Sequence, residues 1–184
     1  MSEPYQIFVL IPDGIHAEKA IYNTHVLLGA FGGVLDEDSL LMLNETDGEE
    51  PEPTNITNAD AALTTLAHWP TFGTIVYAMP EFSLTLSYKS KFYGNLIQVI
   101  KISMMEKSFE RCGEVTKHKY VGLAQKLHEL FQAKRTIMDW GIEYKGFVWH
   151  EELERLKQDE LVGDYDMVDL QDVLGSSHRS IQVA

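Results

Sequence analysis

The sequence predicts an α+β domain: a mainly antiparallel sheet of about five strands with helices packed mostly on one face. Three observations carry this expectation. Between Phe72 and Met105, three stretches rich in β-branched and aromatic residues follow one another across short links, the pattern of an antiparallel meander. From Tyr120 to Phe131, apolar residues recur at the spacing of one helical face. The length of 184 residues and the 45% apolar fraction suffice for one sizeable core and are somewhat short for two. The expected organisation is a single domain over residues 1–174, with a mobile acidic loop at 44–58 and a tail, 175–184, that frays.

Tyr5 to Ile11 reads as a buried first strand ended by the turn residues Pro12-Asp13-Gly14. A helix follows from His16 to Phe31, its stripe formed by Ala17, Ala20, Ile21, Val26, Leu27 and Leu28, with Gly32-Gly33 as its stop. After the acidic knot Asp36-Glu37-Asp38, Leu40 to Leu43 reads as a short strand. Asn44 to Asn58 reads as a loop, because Pro51 and Pro53 oppose regular structure. Asn58 is placed to cap a helix over Ala59 to His68, which Trp69-Pro70 closes.

The meander then consists of Phe72–Met79, Phe82–Tyr88 and Asn95–Met105, with Pro80-Glu81 as a tight link. In the following helix, Tyr120, Leu123, Ala124, Leu127, Leu130 and Phe131 share a face. Thr136 to Tyr144 reads as a further strand, and Val148, Leu153 and Leu156 mark a last helix. An acidic, loosely patterned segment begins at Gln158.

The net charge of −13 is unevenly distributed: residues 1–88 carry −12, residues 89–135 carry +6 and residues 136–184 carry −7. Such an acidic majority repels phosphate backbones at long range, which makes nucleic acid an unlikely partner. No apolar run approaches the roughly 18 residues that cross a bilayer, so no membrane association is expected. The acidic start, Met1-Ser2-Glu3-Pro4, lacks the basic flank of a secretory signal. The lone Cys112 agrees with a reducing, cytoplasmic location.

Chemistry-bearing motifs are few. The turn after the first strand is neither a dinucleotide fingerprint nor a P-loop, and the glycines at 29, 32 and 33 read as helix termination. No two of the seven histidines lie three or four apart, the spacing that would place both imidazoles on one helical face. His150-Glu151-Glu152-Leu153-Glu154 begins like a zinc-protease helix without its second histidine and reads as a solvated helix start. Asp36-x-Asp38 and Asp164-x-Asp166 lack the sixth-position glycine of a calcium loop. No cofactor or metal is expected.

Two functional expectations follow. The first is a non-catalytic binding protein that neutralises or regulates a basic partner protein. Its binding residues would be Asp36, Glu37, Asp38, Glu49, Glu50 and Glu52, since Ala20 to Tyr88 holds ten acids and no lysine or arginine. The alternative is a small hydrolase or transferase that uses Cys112 with His118, or a carboxylate paired with a histidine. The basic neighbours Lys107, Arg111 and Lys117 would lower the thiol pKa, but no nucleophile motif surrounds Cys112.

The run from Leu96–Met105 through Tyr120–Phe131 to Met138-Asp139-Trp140-Gly141-Ile142 resembles the small α+β immunity proteins of bacterial polymorphic toxin systems. The likeness lies in element order and in an acid-aromatic-glycine strand. It implies that the basic partner is a toxin, blocked by binding, and it carries over no functional residue.

Overall fold

The computed structural model describes residues 4–43, 52–70, 73–89, 94–160 and 168–169. In chain order the strands are β1 (Pro4–His16), β2 (Leu40–Leu43), β3 (Glu52–Asn55), β4 (Gly73–Ala78), β5 (Ser83–Lys89), β6 (Leu96–Met105), β7 (Arg135–Trp140) and β8 (Val168–Asp169). The helices are α1 (Ala17–Ala30), α2 (Ala59–His68), α3 (Glu106–Glu110), α4 (Glu114–Phe131) and α5 (Trp149–Lys157), with a 3-10 turn at Ile142–Lys145. The class is α+β and the registered strand pairs are antiparallel. Eight strands are described where about five were expected. The chain forms two compact units: a central one, Asp13–Ile102, and a terminal one, Met1–Pro12 with Ser103–Ala184.

In the central unit the hydrogen-bonded strand order is β3-β2-β4-β5-β6. The alternation read from the sequence sets its two faces. Gly73, Ile75 and Tyr77 stand opposite Tyr88, Leu86 and Leu84, and all are buried. Thr74, Val76, Thr85 and Ser87 take the other face and are only half-buried, with Thr74 Oγ1 and Ser87 Oγ at 3.1 Å. Helices α1 and α2 cover the buried face: His25 of α1 meets Tyr77, and Leu66 of α2 lies over Gly73. Among the described residues of this unit, the helical cover is therefore one-sided.

Asn58 caps α2, its side-chain oxygen accepting from Ala61 N at 3.2 Å, which satisfies one of the helix's free amides. Two details of α1 depart from the expected stripe. Val26 is 70% exposed, and Thr24 is buried in the face instead, its hydroxyl donating to Ala20 O at 2.7 Å. Pro53 does not exclude a strand: β3 forms around it. It stands opposite Met42 on a strand at the end of the sheet order, the position where a residue without an N–H is tolerated.

In the terminal unit β1 pairs with β7 and β7 with β8. Here both sheet faces are covered, which departs from the expected one-sided arrangement. On one face Phe8 packs on Phe147 at 4.7 Å, and Gln6 donates to Glu143 Oε2 at 3.3 Å. On the other, Tyr5 stacks on Phe109 of α3 at 4.1 Å, and Thr136 meets His128 of α4 at 2.9 Å. That explains why Arg135 to Asp139 are buried without alternation. Tyr120, Leu123, Ala124, Leu127 and Phe131 are buried on α4 as their spacing predicts, whereas Leu130, at the margin of the stripe, is 42% exposed.

Two strand boundaries differ from those expected, each for a local chemical reason. β1 does not stop at Pro12-Asp13-Gly14. Its β7 partners end at Leu10, so the missing Pro12 amide breaks no bond of that ladder. The left-handed conformation of Gly14 (φ 74°) carries the strand onward to His16. β7 ends at Trp140 rather than Tyr144, because Gly141 turns left-handed and starts the 3-10 turn. Of the expected loop at 44–58, residues 44–51 lie outside the described residues and Glu52–Asn55 form β3; the tail over 175–184 also lies outside them, while β8 shows a strand within the acidic C-terminal segment.

Candidate functional site

The acidic residues singled out in the sequence fall into two groups in the central unit. Asp36, Glu37 and Asp38 form an exposed turn that the sequence itself folds: Asp36 Oδ1 accepts from Asp38 N at 2.9 Å and from Ser39 Oγ at 3.4 Å. Ser39 is buried and its hydroxyl accepts from Asp36 N at 3.1 Å. The turn is tied to the chain beyond β3 by Ile56 N donating to Ser39 O at 3.2 Å. Asp36 is thus partly occupied in holding the turn, and Glu37 and Asp38 project their charge from it.

Glu52 belongs to the other end of the same hairpin. Leu40 stands opposite Asn55 and Leu43 opposite Glu52, so the turn and Glu52 are separated by the length of β2, about 10 Å of strand rise. Glu49 and Glu50 lie outside the described residues. The hairpin therefore places Asp36, Glu37 and Asp38 at one end and Glu52 at the other.

Part of the basic charge of residues 89–135 is consumed within the terminal unit, where Lys117, Lys126, Lys134 and Arg135 each face a carboxylate, as does Lys145 beyond that segment. Arg135 pairs with Glu152 of α5, both buried, and Lys134 pairs with Asp159. The ammonium of Lys134 donates to the Asp159 carboxylate and holds it below the usual carboxylate range. Lys117 lies 3.7 Å from Glu114, Lys126 lies 3.1 Å from Glu129, and Lys145 reaches the buried Asp139 at 2.7 Å. Glu152 corrects one expectation. The start of α5 is not wholly solvated, because this carboxylate turns inward onto a guanidinium while Glu151 and Glu154 stay exposed.

Cys112 lies between α3 and α4, its thiol donating to Ser108 O at 3.1 Å. His118 Nδ1 lies 2.7 Å from Glu114 O, so the ring carries its proton there. Each group is engaged with a carbonyl one turn back in the chain, the ordinary local satisfaction of a polar side chain. Among the described residues no group of three or more His, Cys, Asp or Glu side chains gathers as a metal site. No helix among them is long and apolar enough to cross a membrane.

A feature absent from the sequence reading is a recess of about 180 Å³ in the terminal unit, lined by Tyr5, Glu106, Phe109, Glu110, Lys117 and Trp140. Tyr5 and Trp140 are directly opposed in the β1–β7 register. Phe109 stacks on Tyr5 with an interplanar angle of 20°, and Tyr120 meets the Phe109 ring edge-on at 6.4 Å. Burial, with the Asp139 charge adding, pushes the Tyr5 phenol up to about 12, so it stays neutral at ordinary pH. Trp140 is 42% exposed.

No protein-family model matches the chain, and no curated protein matches it. Among solved structures a Pseudomonas aeruginosa T6SS protein is similar at 9% identity with a TM-score of 0.41, over 73% of this chain. The chain spans 39% of that protein's length. A likeness of this degree establishes neither fold nor role.

Proposed function

We propose that this protein is a non-catalytic binding protein whose acidic central unit captures a basic partner protein and neutralises or regulates it. On the resemblance noted in the sequence, the partner would be a toxin. The observation that carries the reading is the sign of the surface charge. Of the described charged residues from Asp13 to Tyr88, Asp13, Glu18, Asp36, Glu37, Asp38, Asp60 and Glu81 are exposed, against the single exposed base Lys19. A surface that served solubility alone would tolerate interspersed bases, whereas one that attracts a cationic protein gains from excluding them.

The test is affinity capture from the native host followed by association kinetics with the basic protein recovered. Association should slow as salt rises, because exposed charges are screened over a Debye length of about 8 Å at physiological ionic strength. Asp36→Asn with Glu37→Lys and Asp38→Lys keeps the acceptor that folds the turn while removing its charge, and should slow association about tenfold. Recovery of no basic protein, or association indifferent to both salt and these substitutions, would leave the acidity as plain solubility.

A further inference from the structure

We infer that the aromatic recess of the terminal unit is a seat for an arginine side chain of a protein partner. The inference rests on the reading of the protein as a binder of basic proteins, and it names the group that is recognised. Three features support it. The lining is aromatic, with Tyr5 and Phe109 stacked on each other and Trp140 partly open to solvent, and a delocalised cation is attracted to an open ring face. The rim carries two carboxylates, Glu106 and Glu110, four residues apart on α3 and so on one side of it. Neither has an ion-pair partner among the described residues, in a unit where Arg135, Lys134, Lys126 and Lys145 are each paired.

Lys117 opposes this charge, but its ammonium already faces Glu114 at 3.7 Å, and its side chain is only 19% exposed. The lining thus holds two carboxylates and one ammonium, and that ammonium faces a third carboxylate, Glu114. The volume of about 180 Å³ suits a single planar side chain with its methylene stem rather than a folded segment. A guanidinium fits better than an ammonium, because its plane can lie against the partly exposed Trp140 ring while its edge N–H groups reach the carboxylates.

The probe is a set of short blocked peptides, Gly-Arg-Gly, Gly-Lys-Gly and Gly-citrulline-Gly, titrated into the full chain. The readout is the Trp140 indole N–H resonance, assigned with Trp140→Phe. The arginine peptide should shift this resonance in a saturable way, the lysine peptide should bind about fivefold more weakly, and citrulline, equal in shape without the charge, should leave it unmoved. Glu106→Gln with Glu110→Gln should weaken the arginine peptide about tenfold while leaving the other indole resonances in place, which shows that the fold persists. No saturable shift with arginine, or an equal shift with citrulline, overturns the inference. The captured basic protein separates this outcome from failure of the parent reading. Its affinity should fall on Glu106→Gln with Glu110→Gln. If it is captured and insensitive to that pair, the recess is refuted and the binding function stands; if no basic protein is captured, the parent reading fails and the peptide titration alone decides the recess.

Discussion

Glu152→Ala removes one partner of a buried ion pair. Arg135 on β7 and Glu152 on α5 are 4% and 2% exposed and paired. Removing the carboxylate leaves a guanidinium that cannot shed its charge and has been taken out of water, a loss of about 3–5 kcal/mol. The exposed pair Lys157–Glu154, at 2.7 Å but 42% and 66% exposed, supplies the contrast: Glu154→Gln should cost under about 0.5 kcal/mol. The assay is urea unfolding followed by tryptophan fluorescence in a Trp69→Phe background, where Trp140 and Trp149 report on the terminal unit. With a urea dependence of about 2 kcal/mol per molar, Glu152→Ala should lower the midpoint by about 2 M and Glu154→Gln by less than about 0.3 M. Arg135→Met with Glu152→Leu should recover most of the loss, because the desolvation cost of both charges disappears together. A midpoint for Glu152→Ala indistinguishable from that for Glu154→Gln, or a double variant as unstable as Glu152→Ala, would refute the reasoning.

Two further predictions concern the central unit. Gly73→Ala should destabilise by about 1–3 kcal/mol in urea unfolding read through Trp69, because a Cβ there would stand 2.3 Å from Leu66 Cδ1 and 3.0 Å from Leu43 Cδ2; unchanged stability would show that both leucines yield freely. Burial lowers the pKa of His25, with Asp60 opposing, so its imidazole should titrate below about 6.5 by NMR. Its contribution to stability is then full above about pH 6.5 and is lost as the pH falls through the window down to the folded pKa, where the unfolded chain takes up the proton first. His25→Gln should flatten that part of the pH profile, and an imidazole that titrates above 6.5 would contradict this.

Periodic elements were legible in the sequence, and elements set by neighbours were not. The alternation of Leu84, Leu86 and Tyr88 needed only one covering layer to become a buried face, and α1 with α2 supply it. The stripe from Tyr120 to Phe131 was equally self-contained, apart from Leu130 at its margin. By contrast, Arg135 to Asp139 show no alternation because both faces are covered, so no period could announce that β7 lies between helical layers. Pro53 misled because the sequence shows its missing amide and not its place at the end of the strand order. β8 depends on pairing with Ile137 and Met138, at least thirty residues before their partners, and two residues carry no pattern of their own.

The candidate sites divide along the same line. The Asp36 turn is local chemistry, an Asx residue bonding to the amide two residues on, and so the sequence could place it. The recess draws Tyr5, α3, Lys117 and Trp140 from three distant parts of the chain, and none of these residues is unusual where it stands. Only the direct opposition of Tyr5 and Trp140 across β1 and β7, with α3 laid over that end, turns them into one surface. Glu152 makes the same point in reverse. In sequence it is one of three acids at a helix start, and what separates it from Glu151 and Glu154 is the buried guanidinium that it faces. A cluster of like charges therefore contains members with opposite roles. Substitutions at Glu151 and Glu154 alter surface charge, while a substitution at Glu152 alters the fold. A partner-binding screen that reverses acids wholesale across this chain would confuse the two, and for that reason the charge test is confined to the exposed turn of the central unit.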